Sequence, residues 1–311
     1  MKLRAERRTR YDASSDLFRW IRQRKALTLS GAIVLVFTIL AAIAPLLVAA
    51  GSNDVALTAK LEGPSWQYPL GTDHLGRSVI SRLMLGASTS LSAAYAVLGM
   101  SLAIGVLAGS VAGWMMGWAD TAIMRLCDLF LAVPSLVLGL ALIGIFGRSP
   151  MVIIGSMVMA FWAPYAKLVR GLVLQLKDKT YMQAAKLSGT RGSKLLTRHL
   201  LPNFGPELLV AASLDVGAVI LFLSGLSFLG LGFESPAVEW GAMVNDSRPY
   251  WTGHPSLMVY PSLMIMATVI AFNRLGESLR DELDPKFDPI RKSGSVRSAF
   301  RKEGVIRGER L

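Results

Sequence analysis

Six long apolar runs constrain this chain more than any other feature, because a helix needs about 20 apolar residues to cross a bilayer's hydrocarbon core. They fall at about 27–49, 89–113, 119–147, 151–174, 206–232 and 257–276. With 52% hydrophobic and 17% charged residues, the chain is too apolar for a soluble domain. The pattern predicts an all-α polytopic membrane protein with six transmembrane helices. The third run is overlong and opens with Asp120, Arg125 and Asp128, so its membrane part is expected to begin near Leu126. Pro134 and Pro164 interrupt apolar runs and are expected to kink them. Small residues recur, as in GVLAGSVAG over Gly105–Gly113, a pattern suited to close helix packing in lipid.

Orientation follows from the connections. The first 26 residues hold nine Lys/Arg, the segment from Lys167 to Pro202 holds eight, and the tail from Arg274 holds ten. The remaining connections are poor in basic residues. An even number of spans separates the three basic regions, so they share one side, and the positive-inside rule makes it the cytoplasm. The net charge of +12 therefore reads as basic loops at a lipid bilayer rather than as a nucleic-acid surface. The first run follows the basic stretch MKLRAERRTR without a small-residue cleavage site and reads as an uncleaved span. This divides the chain into a basic N-terminus (1–26), a first span (27–49) and an outer loop (50–88). A five-span core (89–280), containing a cytoplasmic segment at 177–203, and a basic tail (281–311) follow.

Little here suggests catalysis. Cys127 alone permits neither an intrachain disulfide nor a thiolate cluster. His74, His199 and His254 have no metal-binding spacing, no resident metal or other cofactor is indicated, and there is no phosphate-binding G-x-x-x-x-G-K-[ST] loop. Arg125 is expected to pair with Asp128 or Asp120. Asp215 lies well inside the fifth run, where a carboxylate is costly and usually faces a cavity or a partner. Asp215, Asp128, Pro134 and Pro164 are thus candidates for a translocation pathway. Asp128 and Asp215 together would serve an intramembrane aspartyl enzyme, but the motifs of that class are missing.

Two polar segments stand out. In YPLGTDHLGRSVISRL (Tyr68–Leu83), Thr72 or Asp73 can cap a helix and Asp73 can pair with Arg77 at i,i+4. Leu75, Val79, Ile80 and Leu83 would then share one face of an amphipathic helix in the interface. In KDKTYMQAAKLSGTRGSKLLTRHLLPN (Lys177–Asn203), a short helix over Tyr181–Leu187 and a break at Gly189 and Gly192 are expected. A second helical piece, Ser193–Leu200, should end at Pro202.

QAAKLSG followed by HLLPN resembles the EAA…G…LP signature of ABC importer permeases. PLGTDHLGRSVISRL is similar to the G-T-D-x-x-G-R-D-V-x-S-R-L segment of the peptide/nickel permeases. DTAIMRLCDLFLAVPSLVL, LSFLGLG, EWGAMVNDSR and LRDELDP match as well. The resemblance implies a type I importer permease fold with six spans, in a subunit that is not itself an enzyme. It would pair with a second homologous permease, two cytoplasmic ATP-binding subunits and an extracytoplasmic binding protein in a bacterial inner membrane. Gln183, Ala184, Ala185, Gly189, His199 and Pro202 would belong to the segment that couples to the ATPase. Gly71, Thr72, Asp73, Gly76, Arg77 and Arg82 would form the outer signature. Gln183 stands where the family usually has Glu, and Ser78 where it often has Asp. The look of GTDHLGR, ASLDVG and EWGAMVNDSR leans to nickel or a metal chelate as cargo, with di- or oligopeptides as the alternative.

Overall fold

The computed structural model describes residues 2–48, 54–190, 193–195, 198, 200–234 and 236–283, with backbone alone for 2–24, 186 and 193. Ten helices account for most of it: α1 (Lys2–Leu47), α2 (Val79–Met115), α3 (Gly117–Ala132), α4 (Ser135–Phe146) and α5 (Pro150–Leu176). They continue with α6 (Thr180–Leu187), α7 (Ser193–Leu195), α8 (Leu201–Phe228), α9 (Trp240–Ser247) and α10 (Ser256–Leu283). Among the described residues the nearest approach to a sheet is an isolated antiparallel bridge, Thr72 to Ser78.

Part of α1 (Lys25–Leu47) and all of α2, α5, α8 and α10 are long and apolar enough to cross a membrane. The third predicted span is bent: α3 and α4 meet at 90°, and counting the pair as one span gives six. Pro134 explains the break. It lacks an N–H for the helix ladder, and Val133 before it is pushed into extended backbone (φ −93°, ψ 128°). Pro164, by contrast, lies inside α5, which runs from Pro150 to Leu176 as one helix.

α2 and α5 form the centre of the bundle, and glycine is the reason they approach so closely. A Cβ added at Gly105 would stand 2.4 Å from Tyr165 Cβ, and one at Gly109 2.3 Å from the Ala166 carbonyl oxygen. At Gly113 it would meet Val173 at 2.9 Å. In lipid, where no hydrophobic effect drives helices together, such backbone contact supplies much of the packing attraction. α3 packs on α5 through Cys127, Trp162, Ala163 and Ala166, and α8 and α10 pack beside α2. Of α3 and α4, only Cys127, Gly139 and Ile143 are buried.

Candidate functional site

The outer signature is a folded loop, not the amphipathic helix expected from its spacing. Helix α2 begins only at Val79, and residues 68–78 turn on themselves. Gly71 and Gly76 have φ of +76° and +77°. At Gly76 a side chain would also place its Cβ 1.8 Å from the Ala56 carbonyl oxygen. Asp73 competes directly with a helix: its Oδ1 accepts from the N–H groups of Leu75 and Arg77, both at 2.9 Å. Thr72 Oγ1 donates to the Ala59 carbonyl and accepts from the Glu62 N–H, tying the loop to residues 54–62.

The loop is locked by charge. Asp73 Oδ2 receives Arg77 Nε at 2.8 Å and Arg82 Nη1 at 2.7 Å, all three side chains being buried. The Asp73–Arg77 pair foreseen from spacing is therefore present, but it closes a turn. Arg82 continues to Asp246 on α9 at 3.3 Å. Burial pushes the Asp73 carboxyl upward. The Arg77 N–H, the Arg82 charge, the Leu75 N–H and the Arg77 charge outweigh this, holding it below its ordinary value. His74 stacks on Tyr250 with ring centroids 5.3 Å apart. Burial lowers its pKa, although Asp73 and Asp246 pull the other way.

Helix α9, the EWGAMVNDSR segment, is seated beneath this loop. Glu239 caps it, accepting from the N–H groups of Gly241 and Ala242 at 2.7 and 2.9 Å. Burial raises the Glu239 pKa against those donors. Trp240 is fully buried and donates from Nε1 to the Leu83 carbonyl at 3.0 Å. It fits because Gly86 leaves room: a Cβ there would lie 2.8 Å from Trp240 Cδ1. The link from Trp240 and Asp246 to α2 joins residues more than 150 positions apart, and no local pattern announces it.

The second candidate site lies at the other end of α2. Met116, just past that helix, is reached by Lys177 Nζ at 2.7 Å, and α6 follows directly. The expected helix at 181–187 is α6. Met182 anchors it, fully buried, while Tyr181, Gln183, Ala184 and Leu187 face outward and Ala185 is half-buried. Gln183 Nε2 donates to the Asp178 carbonyl at 3.3 Å. The helix ends at exposed Gly189 (φ +82°), where the Thr190 N–H returns to the Ala185 carbonyl at 3.1 Å. Of the second helical piece, the turn Ser193–Leu195 is formed; Gly192 and His199 lie outside the described residues. Pro202 does not terminate that piece. It stands in the first turn of α8, where a missing N–H costs nothing.

The charges on α3 are paired differently from expectation. Asp120 receives Arg170 through Nε at 2.5 Å and Nη2 at 2.6 Å, and Asp128 receives Lys167 at 2.6 Å. Their partners come from α5, not from Arg125, because α3 packs along α5. Asp215 on α8 accepts a 2.5 Å hydrogen bond from the Tyr165 hydroxyl on α5. This bond sits beside the Gly105 contact, where α2, α5 and α8 converge.

A family model for the binding-protein-dependent transport system inner membrane component matches residues 105–289, more than half of the chain. The chain belongs to this family. It is an ABC importer permease of the peptide/nickel type, a multi-pass transport subunit, as its motifs implied. The nickel transport system permease protein NikC of Escherichia coli (strain K12) is 40% identical to it over 231 residues, 74% of this chain and 83% of that one. The probable D,D-dipeptide transport system permease protein DdpC of the same strain is 37% identical over 288 residues, 91% and 95% of the two chains. The dipeptide transport system permease protein DppC of Alkalihalophilus pseudofirmus is 33% identical over 271 residues, 87% and 89%. The family match takes in the permease's 177–203 segment, α8, α9 and α10; the GTDHLGR loop precedes it.

Proposed function

We propose that this permease moves nickel or a metal chelate, handed over by an extracytoplasmic binding protein, through a pathway shared with a second homologous permease. Two cytoplasmic ATP-binding subunits drive it, and both termini and the 177–203 segment face the cytoplasm of a bacterial inner membrane. The observation that carries this reading is the separation of two docking elements along one helix. The charge-locked GTDHLGR loop stands at the start of α2 and α6 near its end, about 55 Å apart at 1.5 Å per residue. At the inner end, exposed Tyr181 and Leu187 with a turn at Gly189 offer an apolar knob to an ATPase groove. At the outer end, Val55, Leu57 and Trp66 are exposed beside the signature loop. The sparsely buried α3 and α4 leave a face for the second permease.

Two arguments support a metal-type cargo: the 40% identity to a nickel permease, and Asp215, whose carboxylate would offer a passing cation a weak oxygen ligand. Dipeptide permeases and a glutathione permease, the latter also 40% identical, are among the relatives too, so peptide is the second reading. Asp215→Asn distinguishes them. Asn keeps an oxygen to accept the Tyr165 hydroxyl but removes the charge. Complex assembly should survive, and uptake of radiolabelled nickel, with or without a chelator, should fall several-fold. Unchanged nickel uptake contradicts the role given to Asp215, and transport of a labelled dipeptide without any transport of nickel contradicts the metal reading.

A further inference from the structure

Helices α1 and α10 run side by side but part over one stretch, leaving a groove of about 790 Å3. That volume lies within the range of small-molecule sites, roughly 300–1,000 Å3. Its floor and walls are apolar: Leu29, Ile33 and Phe37 from α1, Met266, Ala267 and Ile270 from α10. One end is different. There Arg274, Glu277, Ser278 and Asp281, at successive turns of α10, form a polar mouth. Arg274 Nη1 and Glu277 Oε2 are 3.3 Å apart and both well exposed, so their bond is weak and open to competition.

The dimensions match one leaflet. From Ala26 to Phe37 the groove follows α1 for about 16 Å, close to half of a ~30 Å hydrocarbon core. Its mouth coincides with the ends of the first and last apolar runs, where headgroups lie. The mouth's charges are also selective. One guanidinium faces a phosphate, and two carboxylates face whatever is attached to it. An anionic headgroup would meet both carboxylates; an ammonium headgroup would be held by them. Glu277 and Asp281 give the mouth two carboxylates within a stretch of sequence that is basic overall.

We propose that the α1–α10 groove is a binding site for a zwitterionic aminophospholipid, its acyl chain along Leu29, Ile33, Met266 and Ile270. Arg274 holds its phosphate, and Glu277 and Asp281 hold its primary ammonium. The site pins the first helix to the last through a lipid and is independent of the cargo. Phosphatidylcholine, whose quaternary nitrogen has no N–H to donate, should bind less well than phosphatidylethanolamine of the same acyl chains.

The test is lipid retention by the full chain, purified in mild detergent and measured by native mass spectrometry. Equal amounts of phosphatidylethanolamine, phosphatidylcholine and phosphatidylglycerol are supplied. Phosphatidylethanolamine should be retained about tenfold over phosphatidylglycerol, the scale of one or two charge-assisted hydrogen bonds. Glu277→Gln with Asp281→Asn should abolish the preference while leaving the fold intact, because Glu277 is exposed and Asp281 half-buried at the end of α10. Ala267→Trp should block retention of all three lipids; should it fail to fold, the paired substitution decides. Equal retention of the three lipids by the unaltered chain overturns the proposal, as does a preference that survives the paired substitution.

Discussion

Asp73 carries more of the outer architecture than any other side chain in its loop. One carboxylate satisfies two backbone N–H groups and two buried guanidiniums. Asp73→Asn should therefore destabilise the permease by about 3 kcal/mol, the cost of leaving buried charges short of a partner. A thermal-unfolding midpoint of the purified chain will check this; an unchanged midpoint counts against the lock. The pH dependence has a definite sign. His74 titrates lower in the folded chain than its ordinary 6.5, so the unfolded loop takes up the proton first. Stability is therefore full above pH 6.5 and declines as pH falls from there through the folded value. Asp73, also lowered, adds a second loss below its ordinary 3.8. Hydrogen-exchange protection over residues 54–82, corrected for the pH dependence of the intrinsic rate, should fall on acidification below pH 6.5, and His74→Gln should remove that first step while leaving the second.

At the scale of elements, close approach of α2 and α5 is the feature to test. Gly109→Val inserts atoms where the Ala166 carbonyl and Val169 already stand, and overpacking of this kind costs about 1–3 kcal/mol. Gly99→Ala, on the same helix, meets nothing within 4 Å and should be tolerated. Fluorescence-detected size exclusion will compare the two; equal behaviour would mean the glycines are not packing sites. The spans, the small-residue contact and α6 were legible in the sequence because each is periodic and local. The outer loop was not. Its i,i+4 pairing of Asp73 and Arg77 fits a helix and a closed turn equally well, and only the contacts of Gly71 and Gly76 with distant backbone decide between them. The partners of Asp120, Asp128 and Asp215 were likewise hidden, because Arg170, Lys167 and Tyr165 lie tens of residues away on α5. The 90° break at Pro134 was foreseen as a kink but not in its size.

At the scale of the whole molecule, the proposed function makes the bundle a lever between two docking elements. α2 is anchored at its start by Arg82 and the Trp240 contact, and it is bound along its length to α5 through glycine contacts. α5 continues into the α6 segment, which Met182 fastens to the core. A rigid-body push on α6 would thus reach the outer loop without needing any single side chain to rearrange. Coupling of the 177–203 segment to ATP hydrolysis, as proposed above, can be measured directly. The direct measurement is ATPase activity of the assembled importer, with and without its loaded binding protein, for the unaltered permease and for Gly189→Trp. The φ of +82° and the exposed turn at Gly189 mean that Trp would both strain the turn and fill the docking surface. The Gly189→Trp complex should insert and assemble, hydrolyse ATP at its basal rate and no longer respond to the binding protein. Full stimulation in that complex would contradict the proposed coupling.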